Sequence, residues 1–246
     1  MANDKVYIHE FIDIIGHNRA RYMQHMTANW CPIGREERNM LCFGVWGTVG
    51  STGRWPEVVN LWELDGWDSL AANFSHEFSS SSLQDDSLAD WWAVAAEMRR
   101  GGIDRILVPE PWSPTIEELT DAGVNGIAYA HELVTLPVGN AGTFLEALRE
   151  IGVPAVEEIG LRAIGAFRSA MTNDSEAIVI WAIPDWTTWA RFEQEWVDGS
   201  LSAWRTHLVG LGADVRRTLM VDAPLSPLRI GRQPSIDDRR PLEDRT

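Results

Sequence analysis

Hydrophobic and polar residues alternate along several short segments of this chain, and this alternation predicts β-strands. In the sequence VYIHEF near the start, one face of the predicted strand carries Val6 and Ile8, and the other carries Tyr7, His9 and Phe11. A segment with helical spacing follows, then two strands rich in β-branched and aromatic residues, a second helical region and a last strand. The first half of the chain is therefore predicted to have the element order βαββαβ.

The second half of the chain repeats this order, and short sequences recur with it. The stretch VYIHEF returns as AYAHEL at residues 128–133, and PWSP at residues 111–114 returns as PLSP at residues 224–227. The tyrosine and histidine of the first stretch thus correspond to Tyr129 and His131. Because the matching positions keep their order along the chain, the sequence predicts two copies of one unit, each the size of a small domain.

The predicted domains are a first repeat at residues 5–115, a second at 127–228 and a tail at 229–246. The βαββαβ order is that of the ferredoxin-like fold, an antiparallel sheet of four strands with helices on one face. The open face of each sheet must also be buried, and the other copy offers the matching surface. The tail is rich in charge and proline, so it is predicted to be extended or disordered, or to reach a partner subunit as an arm.

Composition limits the classes of partner. The net charge of −15 disfavours nucleic acids and anionic membranes, which call for basic surfaces. No segment approaches the ~18 apolar residues of a membrane span. The N-terminal sequence also lacks the apolar segment of a signal peptide. Two cysteines, Cys31 and Cys42, are too few for a disulfide scaffold, so a cytoplasmic protein is expected.

Each unit opens on a strand with a tyrosine and carries a second strand of the type GVWGT and a third of the type VVNLWEL. These features, over both predicted repeats, resemble the dimeric α/β barrel superfamily and, within it, most closely the NIPSNAP-type domains. The resemblance implies that the two sheets close into one barrel inside a single chain, around a ligand cavity. NIPSNAP-type domains tend to begin with a Tyr-Glu-Leu-Arg-like strand; here the arginine is missing, so its role is not carried over. The superfamily includes cofactor-free monooxygenases, cyclases, isomerases, haem enzymes and proteins without known catalysis, so the resemblance names no reaction.

The face with tyrosine and histidine is predicted to line the cavity. A histidine titrates near neutral pH and a tyrosine can donate to a developing oxyanion. The catalytic candidates are His9, His131, Tyr7 and Tyr129. The substrate-binding candidates, taken from the aromatic and polar sides of the first three strands of each copy, are Phe11, Trp46, Asn60, Trp62, Phe167 and Trp181. The alternative is a purely structural role, in which the histidines are core residues inherited with the duplicated strand. Glu10 and Glu132 are expected on the helix side, in solvent or in a structural pair.

No recognised zinc or iron ligand set is completed around the histidines, and no cofactor is predicted. The glycine-rich segment 47–53 lacks the lysine of a phosphate-binding loop. The predicted function is a cofactor-independent enzyme acting on a hydrophobic small molecule, such as a terpenoid, polyketide or aromatic metabolite. The predicted chemistry is acid–base: isomerisation, cyclisation, dehydration or hydration. Two alternatives stay open: an oxygenase, either cofactor-free or haem-dependent with His207 as a candidate ligand, and a non-catalytic small-molecule-binding barrel.

Overall fold

A computed structural model of the chain describes residues 2–239 and shows a closed barrel of antiparallel strands. The strands are β1 (Val6–Ile14), β2 (Met40–Thr48), β3 (Glu57–Leu64), β4 (Arg99–Pro109), β5 (Ala128–Thr135), β6 (Arg162–Ser169), β7 (Glu176–Ile183) and β8 (Asp214–Asp222). Around the barrel they follow the order β1-β3-β2-β8-β5-β7-β6-β4. The predicted fold class, two tandem ferredoxin-like repeats that close into one α/β barrel, is confirmed.

Helices cover the outside of the barrel. They are α1 (Arg19–Gln24), α2 (Cys31–Arg38), α3 (Gly66–Glu77), α4 (Ala89–Met98), α5 (Ile116–Asp121), α6 (Ala141–Ala147), α7 (Val153–Ile159), α8 (Trp186–Asp198), α9 (Ser202–Gly210) and α10 (Pro227–Ile230). A π-helical turn joins α1 to α2, and another joins α6 to α7. In residues 2–239, none of the helices has the length and hydrophobicity that a bilayer span requires.

The two copies are related by a pseudo-twofold axis that runs along the barrel axis. Neighbouring strands are antiparallel all the way round, and corresponding strands such as β1 and β5 lie four places apart in the ring. Corresponding strands therefore point in the same direction. Each end of the barrel is built by both copies, and the two ends differ from one another.

The prediction that Asn60, Trp62 and Trp181 face the barrel interior is wrong. Trp62 packs in the core beneath the helices of the first copy, and Trp181 in that of the second. The antiparallel register pairs His9 with Leu61, and paired residues share a face of the sheet. The prediction matched strands by aromatic character, but the register turns the aliphatic residues of β3 and β7 inward. On β1 and β5, the face with tyrosine and histidine does point into the barrel.

Two short helices close one end of the barrel. Ile116 and Leu119 of α5 and Leu228 of α10 join Tyr7 and Trp46 in the interior core cluster. Helix α5 belongs to the connection between the two copies, and α10 follows the last strand. The closed end is therefore a packed core, and space for a ligand is found at the opposite end.

Within the predicted tail, Gln233 and Pro234 lie against the barrel, and the other residues of 229–239 are exposed or half-buried. The side-chain amide of Gln233 accepts from the backbone N–H of Cys42 at 3.0 Å and donates to its carbonyl at 2.8 Å. Strand β8 pairs with β2 only at residues 46–48, so the backbone of Cys42 has no strand neighbour on that side. The glutamine supplies the missing partner, and Pro234 is buried beside it. Residues 240–246 lie outside the described residues.

Candidate active site

The two histidines of the repeated Tyr-x-His-Glu sequence meet on the barrel axis. Nε2 of His9 lies 2.9 Å from Nε2 of His131, and both side chains are buried. Burial is the main cause that lowers the pKa of both rings, to about 3 for His131, and the nearby Arg105 guanidinium adds to it. Both imidazoles are therefore neutral at pH 7, and one ring donates the single hydrogen bond to the other.

The two tyrosines of the repeat lie in the closed half of the barrel and already have partners. The hydroxyl of Tyr7 donates to Glu63 at 2.7 Å, and that of Tyr129 donates to Asp222 at 2.8 Å. Burial, followed by the charge of the partner carboxylate, raises the pKa of both phenols. The tyrosines therefore do not line the pocket described below, and each hydroxyl proton is donated to a carboxylate.

The two glutamates of the repeat lie on the helix side and accept hydrogen bonds from the tryptophans. Oε2 of Glu10 accepts from Asn60 Nδ2 at 2.9 Å and from Trp62 Nε1 at 2.8 Å. Oε2 of Glu132 accepts from Trp181 Nε1 at 3.0 Å. Three of the substrate-binding candidates are therefore partners of these glutamates outside the barrel.

Trp46 and Phe167 do face the barrel interior, but they pack in its closed half. The Trp46 ring lies 5.6 Å from that of Tyr129, and the Phe167 ring 4.8 Å from that of Tyr7, measured between centroids. All four side chains are fully buried. These aromatic residues fill the core rather than an open cavity.

A pocket of about 360 Å³ occupies the open end of the barrel, and we call it the mouth pocket. Its lining residues are Phe11, Asp13, Arg54, Glu57, Gly102, Ile103, Arg105, His131, Leu133, Arg216 and Thr218. Its volume lies in the range of small-molecule sites. Of the predicted site residues, the structure brings Phe11 and His131 to this pocket, with His9 directly behind His131. The mouth pocket thus combines apolar walls with ionisable groups.

Two glutamates hold corresponding positions at the start of the third strand of each copy, and their environments differ. Glu176 receives Nε of Arg105 at 2.7 Å and Nη2 at 3.2 Å. Burial acts to raise the pKa of Glu176, but the hydrogen bonds from Arg105 and Ser169 outweigh it and lower the pKa. Glu57 has no cation at the matching position. Burial and the Asp13 carboxylate raise its pKa to about 7, while Arg54, which pairs with Asp13 at 2.8 Å, acts to lower it. One carboxyl group is held ionised, and the other titrates near neutral pH.

The difference between the two glutamates comes from one position on the last strand of each copy. The register places Arg105 opposite His9 and places Thr218 opposite His131. Arginine in the first copy therefore corresponds to threonine in the second. The arginine neutralises the glutamate of the other copy across the β4–β6 seam, while the threonine leaves Glu57 unpaired.

Sequence reasoning missed Glu57, Asp13 and Arg105. The available signal was the duplication itself, because Glu57 and Glu176 occupy matching positions in the two copies. What could not be seen was which glutamate would meet an arginine, since that contact crosses from one copy to the other.

Neither the buried histidines His25 and His131 nor the predicted haem ligand His207 is placed to bind haem in the mouth pocket through a free Nε2. Nε2 of His131 is directed at His9, and both ring nitrogens of His25 are engaged, by the Trp91 carbonyl and by Asn29. His207 stacks on Trp204 at a centroid distance of 5.9 Å, away from the mouth pocket. Within residues 2–239, no group of three or more His, Cys, Asp or Glu side chains is arranged to hold a metal ion.

The sequence matches no protein-family model, and no curated protein matches it. Solved structures do match the fold. A monooxygenase candidate from Fusobacterium nucleatum is 10% identical, with a TM-score of 0.55 over 91% of this chain and 94% of its own. A monooxygenase candidate from Lactobacillus acidophilus is 9% identical, with a TM-score of 0.56 over 90% of this chain and 97% of its own. An anthrone oxidase-like protein is 10% identical, with a TM-score of 0.56 over 90% of this chain and 94% of its own. This chain therefore has the dimeric α/β barrel fold, formed by two repeats within one polypeptide.

Proposed function

We propose that this chain is an enzyme that moves a proton on an apolar small molecule bound in the mouth pocket. Glu57 is the proposed proton-transfer group, and the His131 ring is the proposed hydrogen-bond donor to the oxygen that gains charge. The observation that carries the proposal is that a carboxyl group without an ion pair and a neutral imidazole line the same pocket, beside the apolar side chains of Phe11, Ile103 and Leu133. The predicted classes of isomerase and lyase both begin with such a proton transfer.

Glu57 suits this role because its pKa, raised to about 7, lies near neutral pH. A general base works best when its pKa is close to the pH at which it acts, and pairs of carboxyl groups with divergent environments often divide acid and base roles. Glu176 is the counterpart held ionised by Arg105. The proposed reaction therefore uses Glu57 as the base that takes a proton from a carbon next to a carbonyl group.

The tautomers of the two histidines support a donor at His131. Nδ1 of His9 is buried and forms no hydrogen bond. The backbone of His9 favours a protonated ring, but it is not placed to form a hydrogen bond with Nδ1. A buried N–H without a partner is rarer than an unpaired acceptor, so we assign the bare nitrogen to Nδ1 of His9. His9 then donates through Nε2 to His131, and His131 keeps its proton on Nδ1. A neutral imidazole N–H on this ring can stabilise an enolate oxygen.

Two finer identities belong to this proposal. The NIPSNAP-like character rests on the Tyr-containing opening strands of the two copies. A cytoplasmic location is supported by the two cysteines, Cys31 and Cys42, which are buried and form no disulfide. A cofactor-free oxygenase is the second candidate, because it also needs substrate deprotonation and because the structural neighbours include monooxygenase candidates and an anthrone oxidase-like protein.

The test is deuterium exchange in D₂O on a panel of enolisable aromatic ketones that includes anthrone, followed by NMR. The wild-type protein is expected to accelerate exchange at the carbon next to the carbonyl. Glu57→Gln is expected to slow this exchange by about a hundredfold or more, the usual effect of losing a general base. His131→Ala is expected to slow it by about a hundredfold through loss of the donor.

Glu117→Gln, an exposed change on α5, is the control and is expected to exchange at the wild-type rate. Parallel reactions with and without oxygen separate the two enzyme candidates, because only the oxygenase consumes O₂. Binding of panel members without Glu57-dependent exchange would instead support the non-catalytic barrel and would contradict the proposed proton transfer.

A further inference from the structure

Arg105 on β4 and Arg217 on β8 lie on the last strands of the two copies, and their positions within the repeat differ by one residue. In the first copy, Asp104 lies opposite Glu10 and Arg105 faces inward. In the second copy, Arg217 lies opposite Glu132 on the helix side. Because side chains alternate along a strand, the shift by one residue places the two guanidinium groups on opposite faces of the barrel wall.

In the second copy, Glu132 and Trp181 on the helix side of the barrel wall form a hydrogen-bonded pair, and the carboxylate of this pair binds the guanidinium group of Arg217. Oε1 of Glu132 accepts from Nε and Nη2 of Arg217 at 2.9 and 2.7 Å, while its Oε2 is held by Trp181. The guanidinium carbon lies 4.5 Å from the ring centroid of Phe192 and 4.6 Å from that of Trp196. Nη1 of Arg217 also donates to both oxygens of Glu193 at 3.2 Å. A planar cation is thus held by a buried carboxylate, by a second carboxylate nearer the surface and by two aromatic faces.

The first copy has the same carboxylate beside a cavity. Glu10 uses Oε2 for Asn60 and Trp62, as Glu132 uses Oε2 for Trp181. A cavity of about 120 Å³ lies next to Glu10, and its walls include Trp30, Trp62, Trp91 and Trp92. The residue at the position of Arg217 is Asp104, which is acidic. This site therefore joins an aromatic box to a carboxylate and has an acidic residue where the second copy has its own cation.

Arg99 forms part of the cavity wall but leaves Glu10 without an ion pair. Its guanidinium carbon lies 4.8 Å from the ring centroid of Trp92, and among the described residues it makes no ion pair with Glu10 within 4.0 Å. Arg99 lies near the Tyr22 hydroxyl, and its side chain is partly exposed. Burial raises the pKa of Glu10, and the positive charge of Arg99 acts in the opposite direction. The guanidinium thus covers the rim of the box.

We propose that the tryptophan cavity beside Glu10 is a binding site for a small organic cation, of the size of a guanidinium or a methylated ammonium. The carboxylate supplies the charge and the indole faces supply cation–π contacts, as aromatic boxes do for quaternary ammonium groups. The site lies on the helix side of the barrel wall and is separate from the mouth pocket. It assigns an amine-bearing ligand, or an amine-bearing part of one, to the first copy alone.

The test measures binding of tetramethylammonium and guanidinium at millimolar concentration, by ligand-observed NMR and tryptophan fluorescence. The wild-type protein is expected to bind both cations, and to bind tert-butanol, a neutral molecule of similar shape to tetramethylammonium, at least tenfold more weakly. Glu10→Gln keeps the side-chain volume and removes the charge, so it is expected to weaken cation binding at least tenfold. Glu117→Gln on α5 is the control and is expected to bind both cations as the wild type does.

Asp104→Arg gives the first copy the arginine that the second copy already has. It is expected to abolish cation binding and to raise the melting temperature, because its guanidinium reaches Glu10 as Arg217 reaches Glu132. Arg99→Ala is expected to bind the cations as tightly as the wild type or more tightly, because a positive charge leaves the rim. If the wild type and Arg99→Ala both fail to bind either cation, or if tert-butanol binds as well as tetramethylammonium, the proposal is overturned.

Discussion

At the scale of single residues, Glu57 and Glu176 show how one contact sets the chemistry of a side chain. Both glutamates derive from the same position of the repeated unit, and both are at least partly buried. Glu176 accepts two hydrogen bonds from Arg105, whereas Glu57 faces Asp13 and has no cation at the matching position. An opposite charge favours the ionised carboxyl group, and burial beside a like charge disfavours it. At neutral pH, Glu176 is therefore held ionised, whereas Glu57 exchanges between its ionised and its protonated form.

The pH dependence of stability tests the state of Glu57. Its pKa is raised from the ordinary 4.5 to about 7 in the folded protein, so the folded state binds the proton more tightly than the unfolded state does. The contribution of Glu57 is therefore fully favourable below about pH 4.5, and it is lost as the pH rises through about 7. Glu57→Gln cannot ionise, so its melting temperature, relative to the wild type, is expected to increase between pH 4 and pH 8.

Thermal melts at closely spaced pH values measure this difference. Glu117→Gln, which changes an exposed side chain, controls for the loss of one negative charge from the protein. A constant difference between Glu57→Gln and the wild type over the whole range would mean that the pKa of Glu57 is the same in the folded and the unfolded protein, and would contradict the raised value.

At the scale of elements, the second strand of each copy uses a glycine to place an aromatic ring. Strands β2 and β6 both change register just before a glycine, at Gly44 and Gly165. A Cβ atom on Gly44 would lie 2.0 Å from the Trp46 ring, and one on Gly165 would lie 2.4 Å from the Phe167 ring. Each ring therefore lies over the glycine two residues before it. This arrangement lets the rings fill the closed half of the barrel.

Gly44→Ala and Gly165→Ala are expected to destabilise the protein, because the added methyl group has to displace a ring in a packed core. The expected cost is about 1–3 kcal/mol each in the free energy of unfolding, the usual range for overpacking. Gly210→Ala is the matched control, since a Cβ at this position in α9 meets open space. Urea unfolding measures all three variants. Equal stability of Gly44→Ala and Gly210→Ala would show that the Trp46 ring is free to move aside.

The elements also show what the sequence could and could not predict. Element order, alternation and duplication are local or repeated signals, and they predict the two βαββαβ repeats and the inward face of β1; closure into a barrel is implied by the resemblance to the dimeric α/β barrel superfamily. The inward face of β3 was missed because Trp62 looks like a cavity residue until the register with β1 is known, and register is a contact between strands. The mouth pocket was missed for the same reason, since Glu57, Arg105 and His131 come together only across three different strands.

At the scale of the whole molecule, the barrel depends on both copies at once. The interior core combines Tyr7, Trp46, Tyr129 and Phe167 from the two repeats. All four side chains pack inside the barrel and not beneath the helices. The two repeats, predicted at 5–115 and 127–228, are therefore not independent domains, because they share a single interior. Half of the barrel alone would expose the inner face of an open sheet to water.

Division of the chain at Gly123, an exposed residue between α5 and β5, tests this dependence. Each half alone is expected to aggregate or to pair with itself, whereas the two halves produced together are expected to form a complex with the size and melting behaviour of the intact barrel. Size-exclusion chromatography and circular dichroism make the comparison. A stable, monomeric and folded half would contradict the shared interior.

The contact between His9 and His131 on the pseudo-twofold axis has a consequence for inheritance. In an assembly of two identical chains, one codon would specify both rings, so any substitution at this position would change both rings at once. In this fused chain, each ring has a codon of its own. Mutation and selection can alter one imidazole and keep the other, and an experimenter can do the same.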